Sequence, residues 1–170
     1  MMQNPFELFD LPVSLVLDKN DLRKRFIEVQ QTAHPDFGQS DDVSEKANEA
    51  FSVLKDDETR IQRILSFNTS IIVNENKLNP EFLMEIMDLS DSIDEVRGLE
   101  SAQQLSVRNA LEGQRKDLIN RLNELDRNWK ESSDILTNFA NPLWDRLLVW
   151  YQESRYLHRL EKNLNGVEEI

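Results

Sequence analysis

Residues 18–36 read DKNDLRKRFIEVQQTAHPD, and the reading of this stretch decides the fold. Asp18 is a helix-capping residue type standing just ahead of an amphipathic pattern. Leu22, Phe26, Val29 and Ala33 recur at i, i+4, i+7 and i+11, so they share one helix face, with Lys24 and Gln31 opposite. Pro35 ends this helix, because it disfavours helical geometry in the residue before it and has no backbone N–H to donate. The first part of the helix is basic: Lys19 to Arg25 holds Lys19, Arg23, Lys24 and Arg25 against one acid, Asp21. Beyond the loop Phe37-Gly38-Gln39-Ser40, a second helix is expected from about Asp41, with Val43, Ala47, Ala50, Phe51 and Leu54 on one face. The stretch therefore predicts a helical hairpin with His34-Pro35-Asp36 between its two arms.

Working outward, Pro5 to Leu11 is a short apolar segment (Phe6, Leu8, Phe9, Leu11) closed by Pro12. The acidic break Lys55-Asp56-Asp57-Glu58 separates the second hairpin helix from a short helix ending near Phe67. Asn68 to Asn79 holds four Asn and is polar except for Ile71-Ile72-Val73, which makes it the best candidate for a boundary. It finishes with a helix start, Asn79 as cap, Pro80 in the first turn and Glu81 behind it. Asn141-Pro142 opens the last long helix in the same way. Between these two starts, Leu105, Leu111, Leu118, Leu122, Leu125 and Trp129 fall at roughly helical spacing within Ser101 to Trp129. The expectation is an all-α chain of two domains, residues 1–74 and 75–170. In the second domain three helices should bury their stripes against each other.

Composition sets further bounds. The 170 residues carry a net charge of −12, which argues against nucleic acid, whose binding depends on neutralising phosphates with Lys and Arg. Charge is also unevenly placed: Glu75 to Glu100 has eight acidic residues against Lys77 and Arg97, whereas Lys19 to Arg25 is basic. Two patches of opposite sign suggest two different partners. The absence of cysteine excludes disulfides, thiolate metal sites and cysteine nucleophiles. No apolar run reaches the ~20 residues that span a bilayer, and no targeting segment is visible, so a cytoplasmic location is expected.

The helix starting at Pro80 has more apolar residues than a core stripe needs. Phe82, Ile86, Leu89, Ile93 and Val96 fall within one face and suffice to pack a bundle. Leu83, Met84 and Met87 lie on another side, bordered by Asp88, Asp91, Asp94 and Glu95. Methionines rimmed by carboxylates form an adaptable apolar patch of the kind used to bind proteins. The competing expectation is that another helix covers this side. Catalysis has little support: there is no Ser/His/Asp order, no phosphate-cradling glycine loop and no metal-ligand spacing. His158, the only other histidine, is far from His34 in sequence. Carboxylates such as Asp91, Asp94 and Glu95 on an acidic helix read as a solvated face rather than an acid/base pair. A non-enzymatic role with no cofactor and no metal is expected.

Residues 5–67 resemble a J-domain, and the whole architecture resembles the HscB family, the co-chaperones of bacterial iron–sulfur cluster assembly. The strings that carry the likeness are Phe6-Glu7-Leu8-Phe9-Asp10-Leu11-Pro12, His34-Pro35-Asp36, Asn48-Glu49-Ala50-Phe51, Arg63-Ile64-Leu65 and, most discriminating, Phe82-Leu83-Met84-Glu85. The resemblance implies that the J-domain docks on a DnaK-type ATPase chaperone, HscA, through His34, Pro35, Asp36, Lys19, Arg23, Lys24 and Arg25. It also implies that the C-terminal bundle holds the cluster scaffold IscU through Leu83, Met84, Met87, Asp88, Asp91, Glu95 and Tyr156. Two positions depart from the pattern: Phe37 stands where J-domains usually carry Lys or Arg, and Asp57 where a Pro is common. The alternatives are a J-protein of another pathway with a different client, a bundle that self-associates, and a purely structural helical adaptor.

Overall fold

A computed structural model describes residues 4–32, 41–71, 77–100 and 102–166. Every regular element among them is helical: α1 (Pro5–Leu8), α2 (Lys19–Thr32), α3 (Asp41–Lys55), α4 (Asp57–Leu65), α5 (Pro80–Val96), α6 (Leu105–Glu131) and α7 (Leu143–Leu164). Helix starts follow capping chemistry. The Asp18 carboxylate accepts from the N–H groups of Asn20 and Asp21 at 2.7 and 3.0 Å. Asn79 Oδ1 accepts from Glu81 N at 2.9 Å, and Asn141 Oδ1 from Leu143 N at 3.0 Å. Each bond satisfies a donor that the first helical turn would otherwise leave without a partner. The acidic break resolves the same way: Asp56 caps α4 by accepting from Thr59 N, and Asp57 and Glu58 sit at its positive end.

α2 and α3 pack as the hairpin the sequence predicts. Leu22 is buried, and Phe26 stacks against Phe51 at 4.5 Å between ring centroids, with Phe9 edge-on to Phe26. Gln30 bridges to Ser44 and Asn48 on α3. α4 closes this half with Ile61, Ile64 and Leu65 wholly buried.

In the second half α5, α6 and α7 form a three-helix bundle, with two departures from expectation. Leu105 is not part of the α6 stripe and is exposed, while Val107 takes the core position. Leu105 lies six residues before Leu111, about 120° off its face at helical pitch, whereas Val107 lies four before it. Second, the bundle helices do not bury their apolar faces only against each other. α7 packs on α4 as well as on α5 and α6. It therefore buries Trp144, Leu147, Leu148, Trp150, Tyr151, Leu157, Leu160 and Leu164, which span far more than one stripe.

Polar groups tie the halves together, most of them at one loop. The buried Asp126 carboxylate of α6 accepts through one oxygen from Ser14 Oγ, Leu15 N and Val16 N at 2.9–3.0 Å. Its other oxygen meets Lys130 Nζ at 2.6 Å. On the opposite side of the loop, buried Arg60 donates from Nε and Nη2 to Leu15 O at 3.0 and 2.9 Å, and from Nη1 to Leu54 O. Trp129 Nε1 donates to Val13 O, and Asn68 Nδ2 to Phe139 O. Removing the carboxylate leaves buried backbone N–H groups without an acceptor. Asp126→Ala is therefore expected to lower stability by about 3 kcal/mol. Urea unfolding at neutral pH measures this directly, and Asp126→Asn should lose less because its side-chain oxygen still accepts.

Candidate functional site

Two exposed helix faces carry the residues singled out from sequence. On α2, Lys19, Arg23 and Lys24 are exposed. Arg25 is placed differently. Its Nη1 donates to the carbonyls of Phe9 and Asp10 at 2.9 and 2.7 Å, and its Nε to Asp21 at 3.0 Å. Arg25 thus holds the turn that ends α1, where Asp10 adopts a left-handed φ of 49°. That conformation is uncommon for a residue other than glycine, and Arg25 helps fix it. The positive charge offered outward comes from the other three side chains. His34, Pro35 and Asp36, together with Ala33 and Phe37, lie outside the described residues, between the end of α2 and the start of α3.

On α5 the core side and the outer side separate cleanly. Phe82, Ile86 and Ile93 are buried, with Leu89 and Val96 packed against the core. Met84 and Met87 are 61% and 66% exposed, so no helix of the described residues covers this side. At about 100° per residue, Met84, Asp88, Asp91 and Glu95 fall within an arc of about 60° directly opposite that core, with Met87 beside them. Among the described residues no ion pair forms to Asp88, Asp91, Asp94 or Glu95. The two shoulders of α5 face different neighbours. Glu85 accepts from Gln114 Nε2 at 3.0 Å and marks the α6 side. Half-buried Leu83 and exposed Met87 lie on the other shoulder, toward α7.

Tyr156 belongs to that same border. Asp145, Gln152 and Tyr156 recur at i, i+7 and i+11 on α7, so they form one stripe. Lys77, three residues ahead of α5, bonds to the first two: its Nζ to Asp145 at 2.9 Å and its backbone N–H to Gln152 Oε1 at 3.0 Å. The stripe therefore runs along the α5 edge of α7. Tyr156 is about one-third exposed there, with the Arg159 guanidinium 5.3 Å from its ring centroid. Leu83, Met84, Met87, Asp88, Asp91 and Glu95 thus share one helix surface, and Tyr156 adjoins its Leu83 shoulder. Arg159 was not singled out from sequence, although its spacing of three from Tyr156 would have flagged it.

Comparison with known proteins follows from this geometry. Residues 78–165 match the family model described as the HSCB C-terminal oligomerisation domain, which is half of the chain or more. The chain belongs to the HscB family. It is 27% identical over 180 residues to the co-chaperone protein HscB homolog of Haemophilus ducreyi, covering 99% of this chain and 97% of the relative. The Haemophilus influenzae homolog is 28% identical over 184 residues with the same coverage. Among solved structures, human co-chaperone HscB superposes with a TM-score of 0.72 at 18% identity, over 96% of this chain and 81% of the human one. Chaperone HscB from Vibrio cholerae gives 0.67 at 24% identity, over 97% of both chains. These two likenesses show that the HscB fold is shared along almost the whole chain.

An uncovered surface should tolerate truncation. Met84→Ala and Met87→Ala are expected to change stability by less than about 0.5 kcal/mol each, whereas Ile86→Ala on the core side should cost about 2–4 kcal/mol. Denaturant unfolding of the three variants distinguishes the two faces.

Proposed function

We propose that this HscB-family chain is a J-domain co-chaperone that stimulates the ATPase of a DnaK-type chaperone, HscA, and delivers the iron–sulfur scaffold IscU to it. The observation that carries the client half of this reading is the outer face of α5. Two thioether side chains stand mostly in solvent there, rimmed by carboxylates that no cation of the described residues neutralises. Such a surface is adaptable and apolar at its centre and charged at its border, as protein-binding surfaces are. Leu83, Met84, Met87, Asp88, Asp91, Glu95 and Tyr156 are the proposed scaffold contacts.

The chaperone half rests on α2 and the tripeptide that follows it. Lys19, Arg23 and Lys24 form an outward basic face that steers the chain to an acidic surface on the chaperone. His34, Pro35 and Asp36 then meet the chaperone at the docked interface, with His34 and Asp36 supplying hydrogen bonds. Arg25 contributes indirectly, by holding α2 against the end of α1. Docking shifts the chaperone toward its hydrolysing state, so the reacting groups belong to the partner. Scaffold held on the bundle arrives at raised effective concentration. This work takes place in the cytoplasm, with residues 1–74 and 75–170 as the two functional units.

A second reading draws on the description of the matching family model, which names oligomerisation. In that case the α5 face would pair with a second copy of the chain. Sedimentation equilibrium separates the readings: a dimer that Met84→Ala with Met87→Ala dissolves would favour self-association.

His34→Gln is expected to reduce stimulation of the chaperone's ATPase to the unstimulated rate while leaving helical content unchanged. Undiminished stimulation would remove the J-domain assignment. Arg23→Glu with Lys24→Glu should weaken chaperone binding by about tenfold at low ionic strength, with the difference shrinking as salt is raised.

A further inference from the structure

We propose that the client-binding face extends from α5 across the groove onto α7, where Arg159, supported by Arg155, recognises carboxylates on the client. This rests on the client reading above and adds to it the charge pattern the client must present. The favoured occupant is a folded client protein whose contact patch is apolar at the centre and acidic along one side.

Arg159 follows Tyr156 by three residues, so the two lie on neighbouring positions of one helix face. The guanidinium sits 5.3 Å from the Tyr156 ring centroid. Attraction of this kind holds the guanidinium beside the ring and leaves its N–H donors available to a further acceptor. A fork of donors held in place is suited to a carboxylate, which it can meet with two parallel hydrogen bonds. Among the described residues no carboxylate pairs with Arg159, although Asp88, Asp91, Asp94 and Glu95 stand on the adjacent helix. One turn earlier, Arg155 lies 5.7 Å from the Tyr151 ring centroid. Burial raises the Tyr151 phenol above its ordinary pKa, and the nearby Arg155 guanidinium opposes that shift through its charge and a side-chain hydrogen bond.

Charge also determines how a client can sit. The α5 strip is acidic and the adjoining α7 strip is basic, with Leu83 and Tyr156 between them. A client with acidic groups opposite α7 would be repelled if turned end for end, because those groups would then face Asp88, Asp91 and Glu95. The two strips therefore select one orientation on the co-chaperone, and with it the side of the client turned toward the chaperone. The apolar centre supplies affinity, and the flanking charges supply direction.

The experiment is calorimetric titration of the full chain with the IscU-type scaffold of the same organism, at roughly 50 mM and roughly 500 mM salt. Arg159→Gln should bind about five- to tenfold more weakly than the native chain at low salt and nearly equally at high salt. Arg159→Lys should fall between, since it keeps the charge and loses the planar fork. Arg155→Gln with Arg159→Gln should weaken binding further. The loss from Met84→Ala with Met87→Ala should persist at both salts. If the arginine variants bind like the native chain at low salt while the methionine variant loses affinity, the inference falls and the client reading stands. If neither set changes affinity, the client reading falls with it.

Discussion

The structure depends on one carboxylate. Asp126 projects from near the C-terminal end of α6 into the loop that precedes the basic helix, where it receives two backbone N–H groups and a hydroxyl. A segment such as Val13–Val16 has no helical or sheet partner for its amides, and burying them unsatisfied would be costly. Asp126 removes that cost on the bundle side, and Arg60 does the same for the Leu15 carbonyl from α4. Each of these charged side chains is itself buried, and each is tolerated because nearly all its hydrogen-bonding capacity is used. The loop is thereby gripped from both halves of the molecule.

This grip has a mechanical meaning. The loop leads directly into Asp18 and α2, so the direction of the basic helix is referred to α6 through bonds of about 3 Å. Arg25 repeats the arrangement at the other edge of α2, tying it to the turn after α1. The outward-facing cations of α2 and the outward-facing methionines of α5 are then carried on one continuous body. Under the proposed function, a client on α5 would be held at a set distance and angle from whatever α2 engages, rather than on a loose tether. Affinity lost to the ordering of a flexible linker is reduced accordingly.

Much of the fold was legible because its signals are local. The stripes of α2, α3, α5 and α6 repeat within a few residues, and the caps at Asp18, Asn79 and Asn141 act over two or three positions. The surplus apolar side of α5 could be read for the same reason, since five residues at helical spacing already satisfy the core. What could not be read depends on contacts remote in sequence. Asp126 on its own resembles any solvated acid of a helix, and its partners lie more than a hundred residues earlier. Arg60 shares a face with Ile64, which hints at burial, yet nothing local names Leu15 as its acceptor. Leu105 misled because the first residue of a helix can fit a loose spacing while pointing away. Arg25 looked like one more surface cation beside Arg23 and Lys24, and only the path of the chain after α1 shows it to be occupied.

The sharing of α7 between both halves has a consequence for the time course of folding. α4 ends at Leu65 and packs on α3, but its second partner, α7, begins only at Leu143. At roughly 5–20 residues per second of synthesis, α4 waits several seconds for the helix that packs on its second side. During that interval α4 packs only on the N-terminal half, and the side it later gives to α7 stays open. The N-terminal half is therefore complete in sequence well before its surface is closed.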